Sequence, residues 1–281
     1  MKKALLILSL VVFAANFTQT NAQGLFVKVQ PGYGLPMASS NLGTNDVNST
    51  SSTSSEVVKG SYGKGFNIGA SIGYMFSENI GAELGIGYHI GSSYDITSQG
   101  IVNTSTQTLK GSQFRLNPAL IVAAGSEGFV PYAKFGLILG LANKLTEENT
   151  EAGNSSARTW EYTGGMALGL NGAFGAAYHV SDLIAIYGEL EVIGMSYAPT
   201  KGTLTVLKDA NGADVLSQVT DIRDKEKEFV DKLSDTVPSA ATDPNKPKQE
   251  LKQYSPFSSF GINVGVQLSF GGGGGGHHRR H

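Results

Sequence analysis

The chain has 281 residues, with 21 Lys and Arg, 23 Asp and Glu, 37 Gly and no Cys. The near balance of charge argues against a nucleic-acid-binding protein, which needs clustered basic residues. The lack of Cys excludes a disulfide framework, a Cys-ligated metal site and a thiol nucleophile. No apolar run of the required ~18 residues follows the N-terminus, so no membrane-spanning helix is predicted. The composition favours a glycine-rich β-protein with one domain and large loops.

The N-terminus has the pattern of a secretory signal peptide. Two lysines precede an apolar stretch at residues 4–15, and small residues up to Ala22 match the positions that a signal peptidase recognises. The apolar stretch is too short to serve as a spanning helix. We therefore predict that residues 1–22 are removed, that the mature chain begins at Gln23, and that the protein is exported.

The remaining chain alternates bulky apolar residues with small or polar ones, in blocks separated by turn-forming residues. In the last block Ile262, Val264 and Val266 lie on one face, and Asn263 and Gly265 lie on the other. Such alternation predicts β-strands, because successive side chains point to opposite faces of a sheet. Eight blocks of this kind begin at Leu25, Phe66, Ile80, Phe114, Phe135, Trp160, Ile184 and Phe260.

The connections between blocks alternate in length. Short turns are predicted at residues 77–79, 125–128 and 181–182, and long polar segments at 36–64, 91–113, 142–158 and 199–257. Short turns on one side and long loops on the other indicate an up-and-down barrel in an outer membrane.

The charged residues indicate which face of the strands is turned inward. Glu83, Arg115, Lys134 and Glu189 lie in mid-strand on the face that carries small and polar residues. Such charges are tolerated in a wet or ion-paired lumen, so the bulky face is predicted to contact lipid. A soluble, lipocalin-like barrel with its bulky face inside is the alternative.

Aromatic residues near the strand ends predict two belts at the lipid–water interfaces. One group flanks the short turns and the other lies near the long loops. The two groups are Tyr74, Phe76, Phe129, Tyr132 and Tyr178, and Tyr33, Tyr88, Trp160, Tyr162 and Tyr197.

Two strand blocks contain irregularities. Pro118 cannot donate a ladder hydrogen bond, so we expect a bulge or a local opening there. After Val192 the seventh block changes phase, with Ile193, Met195 and Tyr197 on the other parity, which predicts a second bulge.

The first and fourth long segments have distinct compositions. Residues 48–55 are rich in Ser, Thr and Asn and are predicted to be flexible. In the fourth segment, residues 203–207 and 215–219 surround Asn211-Gly212, a hairpin signal, and residues 221–233 form a charged helical pattern. A fifth barrel hairpin here would give ten strands, but these pieces are short and polar for contact with lipid.

The strands GFNIGASIGYMF and IGAELGIGYHIG and the terminal strand 260–270 resemble those of small outer-membrane β-barrel proteins, a porin-like family with OmpA- and OmpX-type members. The resemblance implies an all-β, eight-stranded antiparallel up-and-down transmembrane barrel over residues 23–270, with long extracellular loops and short periplasmic turns. It also implies a bacterial outer-membrane location and assigns Phe270 as the signal read by the outer-membrane assembly machinery. Residues 271–281, a Gly/His/Arg tail predicted to be disordered, depart from this pattern.

Four lumen charges are predicted to form a structural cluster: Lys28, Glu83, Lys134 and Glu189. Counted from the short-turn side at ~3.3 Å per residue, they fall within a slab of about 10 Å. Two cations and two carboxylates at one depth can neutralise one another across a narrow lumen, which closes the pore. A proton or ion gate is the alternative.

No catalytic, cofactor-binding or metal-binding residues are predicted. His89 and His179 fall at opposite ends of the barrel and so cannot share a metal. His89 with Ser92, Ser93 and Asp95 loosely resembles the Ser–His–acid groups of barrel-embedded lipid hydrolases, but a triad is defined by geometry.

The sequence thus favours a non-enzymatic outer-membrane barrel, monomeric, with a structural or surface-interaction role. Its expected partners are membrane lipid, the assembly machinery and an unidentified extracellular ligand at the long loops. A narrow channel for ions or small solutes is the second hypothesis, and a lipid-modifying enzyme is the third.

Overall fold

The computed structural model describes residues 24–126, 128–233 and 243–270. The predicted signal peptide and the tail 271–281 lie outside this part of the chain. Two short helical segments are found within it, a 3-10 helix at Leu216–Gln218 and α1 at Ile222–Lys225. No helix among the described residues is long and apolar enough to cross a membrane.

Strands account for nearly all of the regular structure. In chain order they are β1 (Gly24–Pro36), β2 (Ser40–Asn48), β3 (Thr53–Gly60), β4 (Gly65–Met75), β5 (Ile80–Gly91), β6 (Tyr94–Gln99), β7 (Thr104–Ala123), β8 (Phe129–Ala152), β9 (Ala157–Thr163), β10 (Ala167–His179), β11 (Ile184–Tyr197), β12 (Lys201–Lys208), β13 (Glu226–Val230), β14 (Lys248–Leu251), β15 (Ser255–Pro256) and β16 (Ser259–Phe270).

Eight of these strands form a closed antiparallel barrel, which confirms the predicted fold. Each strand pairs with the next in the order β1, β4, β5, β7, β8, β10, β11 and β16, and β16 pairs back to β1. Three of the hairpins are joined by the short turns that the sequence indicates. Bulky side chains point outward, as Phe135 and Phe174 show with 62% and 64% exposure, so the soluble-barrel alternative is wrong.

On the side of the long connections, β7 and β8 continue beyond the barrel and organise a second sheet. We call it the loop-side sheet. Its strand order is β3, β2, β6, β7, β8, β9, β12, β13 and β14. The long connections are therefore mostly strands, and residues 48–55, predicted to be flexible, form the exposed end of the β2–β3 hairpin, with its turn at residues 49–52.

The fourth long segment also differs from its prediction. Asn211 and Gly212 do form a turn, closed by a single bridge between Lys208 and Asp214, but residues 215–219 form no strand. The charged stretch after Asp221 is helical only in α1 and then becomes β13, because pairing with β12 and β14 overrides the local helical pattern. These strands lie outside the barrel, so the barrel does not have ten strands.

The two predicted irregularities have different outcomes. At Pro118 the register is unchanged, but the β7–β8 ladder lacks pairs at Asn117 and Pro118, which is a local opening rather than a bulge. A register shift occurs instead between Ser112 and Phe114, opposite Ala142, whose φ is +47°. No bulge follows Val192: β11 pairs with β10 in one register up to Ser196, and its ladder with β16, which ends at Ile193, resumes in the same register with β15 at Ser196 and Tyr197.

The aromatic belts are only partly as predicted. Tyr33, Tyr74, Tyr88, Phe129 and Tyr178 face outward. By contrast, Tyr132, Trp160 and Tyr197 are buried inside the protein.

The predicted sixth block is two strands rather than one. Its first part, with Trp160 and Tyr162, is β9 of the loop-side sheet. A turn at Gly164 and Gly165, with φ of +78° and +74°, separates β9 from β10.

Candidate functional site in the barrel lumen

The four predicted charges meet in the lumen, where they form a chain of ion pairs that we call the ion cluster. Glu83 lies between two cations, with Nζ of Lys28 at 3.2 Å and Nζ of Lys134 at 2.8 Å from its carboxylate oxygens. Lys134 also contacts an oxygen of Glu189 at 2.9 Å. All four side chains are buried, so each charge depends on its partners rather than on bulk water.

Aromatic rings enclose one end of the ion cluster. Nζ of Lys28 lies 5.0, 4.8 and 5.1 Å from the ring centroids of Phe26, Tyr132 and Tyr187. The hydroxyl of Tyr132 donates a hydrogen bond to Glu189 at 3.0 Å. These rings fill the lumen on the short-turn side and hold the ammonium by cation–π attraction.

Amides extend the ion cluster toward the long-loop side. The side-chain nitrogen of Asn263 donates to Glu189 at 3.2 Å and to Glu191 at 3.0 Å, and Asn171 donates to Glu191. Alternation places Glu191 in the lumen two residues after Glu189. The sequence signal for it was therefore present, although it was not included in the predicted cluster.

A second polar group, centred on Arg115, lies nearer the long loops. Arg115 donates to Gln113 at 2.8 Å and to Oδ1 of Asn67 at 2.9 Å, and Gln113 donates to Asn143 at 2.6 Å. His89 contacts the same Asn67 oxygen at 2.9 Å. We call these five residues the arginine cluster.

An aromatic cap covers the long-loop end of the lumen. Phe257 is fully buried and packs against Tyr62 and Tyr197, with ring centroids 5.6 and 5.9 Å apart. The segment carrying Tyr62 is tied to the last loop, since Ser61 donates to the carbonyl of Ser258 at 2.7 Å. Sequence reasoning missed this cap because its parts come from two distant connections and the end of β11.

The structure does not assemble the serine–histidine–acid group. One imidazole nitrogen of His89 contacts the side chain of Asn67, and the other lies 2.7 Å from the carbonyl oxygen of Tyr62. Ser92 bonds with Tyr33, and Asp95 accepts from Thr108. Within the described residues, no group of His, Asp and Glu has the arrangement of a metal site.

A family match identifies the kind of barrel. Residues 4–214 match the family described as "Outer membrane protein beta-barrel domain". The chain belongs to this outer-membrane β-barrel family. The membership supports the predicted outer-membrane location, and the bulky outer face of the barrel is the surface that lipid requires.

Three solved structures of outer-membrane proteins are similar to this barrel. Neisserial surface protein A (NspA) is 10% identical with a TM-score of 0.42, covering 88% of this chain and 97% of its own. OprG from Pseudomonas aeruginosa is 12% identical with a TM-score of 0.42, over 89% and 96% of the two chains. A major outer membrane protein from Thermus thermophilus is 16% identical with a TM-score of 0.47, over 89% and 100%. Among curated protein sequences, none matches this chain.

Proposed function

We propose that this outer-membrane barrel is a non-enzymatic scaffold, closed to solute flow, that presents the loop-side sheet for interactions at the cell surface. The observation that carries the proposal is the double closure of the lumen. The ion cluster and its aromatic rings fill one end, and the aromatic cap fills the other.

The loop-side sheet supports the second half of the proposal. It packs on buried apolar residues: Ile96, Leu109 and Leu145 belong to the same apolar cluster as the aromatic cap, and Trp160 and Leu204 are buried as well. A loop that only connects strands does not need such packing. An ordered surface outside the membrane is suited to binding, because a rigid surface loses little conformational entropy when it forms a complex.

Planar-bilayer conductance tests the closed state. We expect little steady current through the unmodified protein, because side chains fill the interior of an eight-stranded barrel. Glu83→Ala and Lys134→Ala, which each disturb the ion cluster, should raise the current only when combined with Phe257→Ala, because the aromatic cap closes the other end. A large steady conductance in the unmodified protein that neither substitution changes would favour the channel function instead.

Lipid turnover tests the enzymatic alternative. Folded protein in lipid vesicles should release no fatty acid, and His89→Ala should behave identically. Release that depends on His89 would overturn the non-enzymatic assignment.

The surface role is tested on intact cells. Replacing the β2–β3 hairpin with a short turn should leave the barrel folded, which faster migration of unboiled protein in SDS would show. The same replacement should reduce binding to at least one member of a panel of purified extracellular proteins and glycans. Unchanged binding to every member, or no binding by the unmodified protein, would contradict a role for this hairpin.

Assembly is proposed to depend on Phe270, recognised by the outer-membrane assembly machinery before the barrel inserts into lipid as a monomer. Phe270 is the last described residue of β16, and it pairs with Leu25 where the barrel closes. Phe270→Ala should impair insertion, whereas deletion of residues 271–281 should preserve or improve it. Equal insertion of all three proteins would remove the basis of this assignment.

A further inference from the structure

Two exposed aliphatic side chains form the tip of the hairpin between β6 and β7. Ile101 is 68% exposed and Val102 is 90% exposed. The N–H of Gly100 donates to the carbonyl oxygen of Asn103 at 2.7 Å, which closes the turn around them. Turns favour Gly, Pro, Asn, Asp and Ser, whereas β-branched residues favour strands. The turn itself therefore does not require Ile or Val at these positions.

The protein's own membrane does not explain these side chains either. On the long-loop side, Phe114 is the last outward-facing apolar residue of β7. From Phe114 the strand continues to Thr104, beside the tip, over ~33 Å at ~3.3 Å per residue. The tip therefore lies well beyond the apolar surface of the barrel that contacts lipid.

A third exposed apolar residue lies on the neighbouring strand. Val47 of β2 pairs with Gln99, two residues before Ile101, and is 45% exposed. We call Val47, Ile101 and Val102 the tip patch. The turns on either side of it are polar, with the sequences STSS at 49–52 and GNSS at 153–156. The tip patch is therefore a small apolar surface with a polar surround, as the centre of a binding interface is.

The hairpin ends around the tip patch carry negative charge. Asp46 pairs with Ser98 and Glu151 pairs with Ser105, so carboxylates lie on both sides of the β6–β7 hairpin. Such a rim repels anionic lipid and the same end of a second copy, and it attracts cations. Over residues 44–56, 97–106 and 148–158, the ionised side chains are four carboxylates and one cation, namely Asp46, Glu56, Glu148, Glu151 and Arg158.

We propose that the tip patch inserts into an apolar pocket of a partner protein, and that Lys or Arg residues line the rim of that pocket. The inference rests on the proposed surface-interaction function and names the contact that performs it. Burial of the aliphatic side chains supplies affinity, and the complementary charges accelerate association. A glycan fits less well, because aliphatic side chains cannot hydrogen-bond to its hydroxyl groups.

An array of purified, identified extracellular proteins tests the proposal with the full chain in nanodiscs. At least one protein with a basic surface should bind the unmodified chain. Its affinity should fall ~10-fold or more for the double variant Ile101→Asn with Val102→Gly. Asn and Gly suit a turn, so the hairpin should remain folded. Added sodium chloride should slow association, since the rim charges are exposed.

The matched control is Leu251→Gln in β14, at the opposite edge of the loop-side sheet. Leu251 is 51% exposed, so this variant removes a comparable apolar side chain away from the tip and should keep the full affinity. Glu151→Gln should slow association and change dissociation little, as expected of a rim charge. Faster migration of unboiled protein in SDS checks that each variant is folded.

The outcomes separate this inference from the proposed function. Equal affinity of the unmodified chain and the folded double variant for every bound protein would overturn the tip contact. If replacement of the β2–β3 hairpin then abolished that binding, the surface-interaction function would still stand. Absence of binding by the unmodified chain would contradict both.

A lipid surface is the competing partner for exposed aliphatic residues. The nanodisc-embedded protein is mixed with phosphatidylcholine vesicles, with and without phosphatidylserine, and flotation measures binding. We expect no flotation, because the carboxylates around the tip patch oppose contact with a lipid surface. Flotation that the double variant loses would show that the tip patch binds a membrane and would overturn the proposed protein partner.

Discussion

The barrel and the loop-side sheet are built from the same alternating strands but bury opposite kinds of residues. In the barrel, bulky residues such as Phe174 face outward and charged residues such as Glu189 are buried. In the loop-side sheet, Leu109, Leu145 and Trp160 are buried, and most polar residues are exposed. Alternation establishes the strands, but the surrounding medium decides which face is buried.

Strand β11 shows where one pattern changes into the other. Its inward face carries Glu189 and Glu191 and then, without any change of register, Ile193, Met195 and Tyr197. The outward face is apolar up to Val192 and then carries small residues. The lumen is therefore charged only over part of its length and becomes an apolar core beneath the long loops.

The largest expected difference between the two regions concerns lysine–glutamate pairs. Lys134→Ala should reduce the free energy of unfolding by ~3–5 kcal/mol, because it leaves Glu83 and Glu189 buried without their shared cation. Urea titration of the barrel in micelles or lipid measures the change.

The matched control is Lys144→Ala in the loop-side sheet. Lys144 pairs with Glu161 at 2.6 Å, but its side chain is 42% exposed. Exposed pairs are worth about 0–1 kcal/mol, so this loss should be small. Similar losses in the two variants would show that the ion cluster is wet and that the contrast between the regions is wrong.

A smaller effect is expected at the boundary within β11. Ile193→Ala should destabilise the protein by about 2–5 kcal/mol, since Ile193 is 2% exposed in the apolar core. Val192→Ala, the neighbouring substitution on the lipid side, should cost clearly less because that side chain is 41% exposed. The urea midpoints of the two variants measure the difference in stability. A greater loss at Val192 would indicate that Val192 rather than Ile193 faces the core, as the bulge predicted from the sequence requires.

Much of the barrel was predictable because, in each pair of adjacent residues of a membrane strand, one side chain faces lipid and the other faces the lumen. Mid-strand charges such as Glu83 and Lys134 identified the inner face, and counting residues from the turns gave their depth. The change of phase after Val192 was misinterpreted for the same reason. A rule that places apolar residues outside treats Ile193 as displaced, although it faces an apolar core inside.

The loop-side sheet and the hydrogen bonds of the arginine cluster were less predictable. Strands β6 and β9 pair with β7 and β8 only because those strands extend past the membrane, and local composition does not show that extension. Asn67 and Gln113 lie on the predicted inner face. Their bonds to Arg115 depend on depth and side-chain direction, which alternation does not define.

The smallest expected effect is the pH dependence of stability in the loop-side sheet, where the ion pairs are partly exposed to solvent. Partial burial alone would raise the pKa of Glu250, but hydrogen bonds and charges from Lys248 and Lys227 outweigh it and hold the pKa below its ordinary value of 4.5. A lowered folded pKa adds stability above the unfolded pKa and loses it as the pH falls through the folded value. Glu250→Gln should therefore reduce amide-exchange protection in β13 and β14 a few-fold near neutral pH, and the two proteins should converge in acid. Because Glu250 is partly exposed, salt should weaken the effect, whereas it should hardly alter the loss at Lys134. A difference between the two proteins that grows in acid would contradict the assigned ion pairs.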